Sequence, residues 1–474
     1  MQFDTLLIDA LTSELRIAKA LNGVLHGMEV FRPAHVTGKG RRVGDILLGR
    51  IKAVVPGIKG AFVDIGDDRD GFLPFPEKDK KSPYTEGQNV IVQLRYEAMA
   101  EKGARLNTKI SMSGYYVVYM PGQPGVHISR QVKKSDLAKK LSETVSRIIG
   151  PDDGVIIRTA AFETGEDVSS LVEAELTELC DQWMDAKALM TQRTAPAELC
   201  PAPDPVLAAL RDHHEGGLKR IIIDGAATHA RIRSYIQSTM PSLEPLLEKH
   251  EGPQPLFNEQ GVEDQLEAAL STHVLLPSGG RVAIVKTPAC ITVDVDSAAA
   301  SNTGGRAEVI RRTNLEACDA LIQQLQLRNL SGHMVIDFIS NKDRTAGKEL
   351  LQHLTNLATT DSVPMEIAGF TRMGLVEALR RKRSMSLIEI LCGEGGSQKS
   401  SLSVAYDILR AAYAEGRVNP GRKITLECAE PIAGLFANLM KADIKAVQDA
   451  LGVDIDVRDV AALKPGEFSL HSGG

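Results

Sequence analysis

Two short β-branched runs carry acids in the middle of apolar sequence. The first is Ile291-Thr292-Val293-Asp294-Val295-Asp296-Ser297; the second, about forty residues on, is Met334-Val335-Ile336-Asp337-Phe338-Ile339. Alternate residues of a strand share a face. Asp294 and Asp296 therefore project together, opposite Val293 and Val295, and Asp337 joins them if its strand lies alongside. Buried, unpaired carboxylates are too costly to keep without compensation. Two outcomes stay open on these residues alone. The acids gather a hard divalent cation such as magnesium, which takes oxygen ligands and shares them with phosphate, or they sit at strand ends, capping a helix or facing water.

A chain of 474 residues predicts several domains rather than one core. With 43% hydrophobic and 24% charged residues it has the composition of a soluble globular protein. The net charge of −6 excludes a global basic field, so any nucleic-acid binding must rest on local patches. The six cysteines (Cys180, Cys200, Cys290, Cys318, Cys392 and Cys428) contain no CxxC pair. That argues against a disulfide framework, a disulfide partner or a thiolate zinc site, and predicts a reducing, cytoplasmic setting. Met1-Gln2-Phe3-Asp4 lacks the basic-then-apolar opening of a signal peptide. No apolar run approaches the ~20 residues of a bilayer crossing, so no membrane span is expected.

Residues 1–35 alternate strand and helix character, with a strand over Phe3 to Ile8 and Glu14 to Ala18 either strand or helix. Too short for a domain, this segment should join something later in the chain. Lys39 to Val54 is Gly-rich and basic, and from there to about Ser113 short alternating strands separated by Gly and Pro turns predict a five-stranded β-barrel of the OB type. Residues 114–215 mix strands (Tyr115 to Tyr119, Val155 to Arg158) with an amphipathic helix over Val168 to Ala186, and the Pro-rich stretch Ala195 to Val206 reads as a linker. Ile221 to Asp224 reads as a strand. Leu315, Cys318, Leu321, Ile322 and Leu325, then Leu350, Leu351, Leu354 and Leu357, fall at helical spacing. Gly393 to Ser401 reads as a flexible linker before a small C-terminal domain.

Gly60-Ala61-Phe62-Val63-Asp64-Ile65-Gly66 followed by Gly71-Phe72-Leu73-Pro74 places Phe62 and Phe72 on neighbouring strands of one barrel face, with Arg50, Lys52 and Lys102 as flanking cations. Aromatics ringed by cations grip single-stranded nucleic acid; the alternative is that both phenylalanines are core. Here the chain resembles the ribonuclease E/G family, whose OB domain is of the kind found in ribosomal protein S-one. The resemblance runs from about residue 3 to residue 470. It rests on Gly60 to Pro74, Lys102 to Leu106, Ile157 to Ala161, Leu276 to Gly280, Thr292 to Ser297, Thr313 to Ala317, Gln324 to Leu330, Val335 to Ile339 and Gly374 to Glu377.

The resemblance implies an endoribonuclease that cuts single-stranded, AU-rich RNA with magnesium and leaves 5′-phosphate and 3′-hydroxyl ends. It implies an α/β multidomain architecture. An RNase H-like subdomain is formed by residues 1–36 with 216–279, and an OB-fold domain at 37–118 is inserted in it. A 5′-sensor subdomain follows at 119–215, a DNase I-like catalytic subdomain at 280–390, a linker at 391–401 and a small α/β domain at 402–474. Asp294 and Asp337 match the family's magnesium-binding aspartates; Phe62, Phe72 and Lys102 match its RNA-holding residues. Arg158 and Thr159 match its 5′-monophosphate pocket, with Gly114 and Val118 as the backbone side. Arg380-Arg381-Lys382-Arg383 is either a track for the RNA backbone or a solvated helix end.

Two departures matter. Asp296 stands where the family usually has Asn, and is read here as a catalytic-site residue; it is either a third metal ligand, the favoured reading, or a carboxyl kept protonated by its acidic neighbours. Leu391-Cys392-Gly393-Glu394-Gly395-Gly396-Ser397 replaces the family's CPxC pair, which shares a zinc between subunits, so no zinc is expected and any homodimer must form without it. Ser340 stands where many members have a further acid. The scaffold tail of the longer branch is absent, so the chain is most similar to the short, ribonuclease G-like members. The competing expectation is a catalytically weakened homologue that binds RNA but cuts slowly.

Overall fold

A computed structural model describes residues 3–37, 41–76, 83–98, 103–129, 132, 135–163, 168–212, 217–297, 305–340, 344–381, 384–393, 396 and 398–473. Lys102, Lys382, Arg383, Glu394, Gly395 and Ser397 lie outside the described residues. The chain is a mixed α/β protein and divides into two units.

The first unit comprises Met1–Phe31, Lys219–Gly225 and Glu248–Gly474. The N-terminal segment is all strand: Thr5–Asp9 pairs antiparallel with Leu15–Leu21, which pairs with Val24–Phe31. Its other neighbour, Arg220–Asp224, runs parallel to Thr5–Asp9 and comes from about two hundred residues downstream. Further along lies a six-stranded sheet in the order His273–Leu275, Arg281–Lys286, Ile291–Asp296, Gly332–Asp337, Val376–Arg380, Met365–Phe370. Helices Arg306–Leu327 and Arg344–Ala358 cover one of its faces. They bury Val282, Ile284, Val293, Val295, Met334 and Ile336 against Leu321, Leu325 and Leu354. The 3.6-residue spacing of those leucines and the two-residue alternation of the strands are the two halves of this core. A three-stranded sheet, Lys423–Cys428 with Ile455–Asp459 and Phe468–Gly473, forms the C-terminal part with helix Ser401–Val418. Leu391 and Cys392, expected in a linker, instead end helix Leu387–Cys392 and are buried beside Leu7, Leu256 and Phe257. Their apolar side chains explain the difference, because a solvated linker would expose them.

The second unit comprises Arg32–Leu218 and Ala226–Leu247. Strands Ile46–Val55, Gly60–Asp64, Gly71–Pro74, Arg105–Asn107 and Asn89–Tyr96 form a closed five-stranded barrel, consistent with an OB fold; the first and last pair to close it. Leu47, Ile51, Val63, Leu73, Val92, Leu94 and Leu106 fill its core. The supposed linker is structured. Ala197–Cys200 pairs with the barrel strand Ile46–Val55, and Pro205–Asp212 is a helix. Proline is tolerated at the start of a helix and beside an edge strand, which is where these prolines fall. A four-stranded sheet, in the order Gly125–Ile128, Gly154–Ile157, Val117–Met120, Met112–Ser113, completes this unit with helices Asp136–Ile148 and Val168–Gln192.

Candidate functional site

Strands Ile291–Asp296 and Gly332–Asp337 run parallel, and Asp294 lies directly opposite Asp337. Both aspartates point away from the helices and are exposed. The valines and isoleucines go to the core and the acids to the open face, where they face water. Neighbouring strands are about 4.8 Å apart, so two carboxylates in direct register are placed to share one small cation. Among the described residues none donates a hydrogen bond or forms an ion pair with either.

Asp296 does share their face, but another group takes it. Arg281, its register partner on the next strand, reaches the Asp296 carboxylate at 3.0 Å. Two residues of strand separate Asp296 from Asp294 by about 6.6 Å. Among the described residues no group of three His, Cys, Asp or Glu is placed to hold a metal. Arg281 thus supplies a cation that offsets the charge of Asp296.

Helix Arg306–Leu327 fixes the strand ends. The Asn314 side chain donates to Ile339 O at 2.9 Å and accepts from Ile339 N at 3.1 Å, two residues past Asp337. Glu316 accepts from Ser278 N at 2.8 Å and so holds the Leu276–Gly280 loop that leads into Arg281. The sequence reading assigned no role to Arg281, Asn314 or Glu316. The motif Thr313 to Ala317 was visible, but its target carbonyl and amide were not.

A second aspartate pair offers a contrast. Asp9 and Asp224 are also register partners on parallel strands. Both are buried, at 2% and 0% exposure, and arginines occupy them. Arg16 and Arg410 each reach Asp9 at 2.6 Å, and Arg417 grips both oxygens of Asp224. Burial alone would raise Asp9, but Arg410 and Arg16 hold its pKa down to about 2. A buried pair needs built-in cations; the solvated pair Asp294–Asp337 does not, and remains open to an external one.

On the barrel, Phe62 and Phe72 are direct cross-strand partners with ring centroids 5.9 Å apart, edge to face. They face outward, while Ala61, Val63 and Leu73 fill the core; the core reading of the two rings is set aside. Phe72 lies across Gly60, where a Cβ would come within 2.3 Å of the ring, so only glycine leaves it room. Of the expected cations, Lys52 is tied to Asp70 at 2.9 Å and Asp64 at 3.6 Å, and Arg50 donates to Gly87 O.

In the four-stranded sheet, Arg158 and Thr159 are half-buried at the end of Gly154–Ile157. Arg158 N donates to Tyr116 O at 2.8 Å and its guanidinium donates to Arg211 O at 3.2 Å. Thr159 Oγ1 bonds Ser129 Oγ at 3.0 Å. Gly114 N already donates to Val117 O, and Val118 lies mid-sheet between Ser113 and Ile156. The structure thus brings the Gly114 turn beside Arg158, but not an open backbone donor at Gly114.

Residues 111–384 match the sequence model of the Ribonuclease E/G family. The chain belongs to the ribonuclease E/G family. It is an endoribonuclease. It is 32% identical to Ribonuclease G of Escherichia coli K12 over 85% of this chain and 86% of that protein. It is 31% identical to Ribonuclease G of Haemophilus influenzae over the same shares. Against Ribonuclease E of Haemophilus influenzae it is 30% identical over 96% of this chain and 50% of that protein. The region matching the ribonuclease E/G family contains Arg158, Thr159, Asp294 and Asp337; the barrel aromatics precede it. Cys392 lies beyond it, and burial pushes its thiol pKa up.

No helix among the described residues is long and apolar enough to cross a membrane.

Proposed function

We propose that this endoribonuclease hydrolyses single-stranded, AU-rich RNA with magnesium and senses a 5′-monophosphate, acting in RNA processing or decay. The register match of Asp294 with Asp337 on an open sheet face carries the reading. Two hard oxygen donors with no internal cation among the described residues fit magnesium, which keeps several waters and takes one or two carboxylates plus substrate phosphate. Asp294 and Asp337 would hold the ion; when bound it offsets charge on the phosphodiester and lowers the pKa of a coordinated water. Asn314 and Glu316 keep the two aspartate strands and the Ser278 loop in place. Arg281 neutralises Asp296, so that carboxylate does not repel the RNA backbone. Phe62 and Phe72 present ring faces and edges on which bases stack without sequence preference. Arg158 offers a fork of donors to a terminal phosphate, and Thr159 a hydroxyl.

The test compares a 5′-monophosphorylated AU-rich oligonucleotide with its 5′-hydroxyl twin in magnesium, beside Asp337→Ala. Expected are products with 5′-phosphate and 3′-hydroxyl ends, faster cutting of the monophosphorylated strand, and none by Asp337→Ala. Wild-type rates from Asp337→Ala would sink the metal assignment. Binding without cutting by the unaltered protein would favour the weakened homologue.

A further inference from the structure

The most heavily bonded carboxylate near Arg158 belongs to a residue that the sequence reading passed over. Glu175, on helix Val168–Gln192, is 6% exposed. Its Oε1 accepts from Tyr115 N at 2.6 Å, and its Oε2 from Tyr116 N at 2.8 Å and Val117 N at 3.0 Å. Three successive backbone N–H groups converging on one anion form a nest. Both oxygens accept, as an ionised carboxylate does. Burial raises its pKa above the ordinary carboxylate value, against the pull of the three donors and of Arg158.

The nest is wired to Arg158. Tyr116 gives its N–H to Glu175 and accepts at its carbonyl from Arg158 N. The Arg158 guanidinium donates to Arg211 O, and Arg211 donates to Ser113 O at 2.8 Å, closing the circuit on the same turn. Gly114 completes the fit: a Cβ there would lie 2.3 Å from Glu175 Cδ, so the carboxylate seats only against a glycine.

We propose that Glu175 is the positioning residue of the 5′-phosphate site, fixing the Ser113–Val117 turn and, through the Tyr116 carbonyl, the backbone of Arg158. The inference rests on the 5′-sensing reading above. Glu175 touches no substrate. Its charge is taken up by the nest, and the backbone of Arg158 stays registered.

The readout is the ratio of kcat/KM for the 5′-monophosphorylated oligonucleotide to that for its 5′-hydroxyl twin. Fold is checked by thermal melting and by the fluorescence of Trp183, the only tryptophan, which lies on the same helix. Glu175→Gln turns an amide N–H₂ against backbone donors, and the ratio should fall about tenfold, the loss of one charge-assisted hydrogen bond. Glu175→Asp, which keeps the charge, should recover part of it. A purely structural role would lower the melting temperature without moving the ratio. If the unaltered protein shows no monophosphate preference, the sensing reading fails and this inference with it. If Arg158→Gln abolishes the preference while folded Glu175→Gln keeps it, this inference alone is overturned. Should Glu175→Gln not fold, Glu175→Asp takes its place, since its shorter side chain cannot hold all three amides as Glu175 does. A folded Glu175→Asp that keeps the full wild-type ratio then overturns the assignment, and one that lowers it supports it.

Discussion

Asn314 shows what a single side chain does for the aspartate pair. Its amide satisfies both the N–H and the C=O of Ile339, and it is 5% exposed. Asn314→Ala leaves both groups unpaired, at about 1–3 kcal/mol, and releases the strand end that carries Asp337. Lower thermal stability together with slower cleavage is expected; a destabilised variant that cuts at the wild-type rate would remove Asn314 from the positioning role. Asp296 behaves differently. Its pairing with Arg281 is half exposed and worth roughly 0–1 kcal/mol. Asp296→Asn should therefore leave the melting temperature unchanged and, because Arg281 already pairs with the carboxylate, leave the magnesium concentration for half-maximal cleavage unchanged as well. A rise in that concentration would assign Asp296 the ligand role. The alternation of Val and Asp made the shared face of Asp294 and Asp296 readable from sequence. Arg281 was not readable, because its partnership depends on strand register rather than on spacing along the chain.

At the scale of elements, the strands were more legible than their surroundings. The barrel announced itself through Gly-bounded alternation, and the outward Phe62–Phe72 pair followed from the same two-residue period. Phe62→Ala should weaken binding of every single-stranded RNA by roughly 1–3 kcal/mol, the worth of one stacked base, when measured by fluorescence anisotropy with a 5′-hydroxyl oligonucleotide. Unchanged affinity would remove the barrel face from RNA binding. The strand Ala197–Cys200 was missed because the prolines around it dominate the local signal, while its pairing with the barrel strand Ile46–Val55 is about 150 residues distant in sequence. Glu175 was missed for a related reason. In sequence it is one more acid on an amphipathic helix, and only the folded sheet brings three amides to it.

At the scale of the whole molecule, long-range charge pairing within the first unit was invisible in the sequence. Arg410 reaches Asp9 across about four hundred residues and also pairs with Glu14. The first strand and helix Ser401–Val418 are thereby joined through buried charges. Removing one partner strands the other without water, so Arg410→Met should lower stability by about 3–5 kcal/mol, read as a shifted urea midpoint. The pH dependence has a fixed sign. Asp9 is held near 2, below its unfolded value of 3.8, so its contribution is complete above about pH 4 and lost as pH falls through 2. That contribution is roughly 2 kcal/mol, and Arg410→Met should flatten this acid limb. An acid limb unchanged in Arg410→Met would show that the pairing does not hold Asp9 down.

The central claim is that Asp294 and Asp337 hold the cation that cuts RNA. The most direct measurement is cleavage of a monophosphorylated AU-rich oligonucleotide by Asp337→Asn at saturating magnesium, with affinity for the same RNA measured in parallel. Asp337 is exposed, so the substitution removes a charge without disturbing the core. The account predicts unchanged RNA affinity and a cleavage rate lower by about a thousandfold or more, ~4 kcal/mol of lost transition-state stabilisation. Cleavage within a few fold of the unaltered enzyme would contradict it.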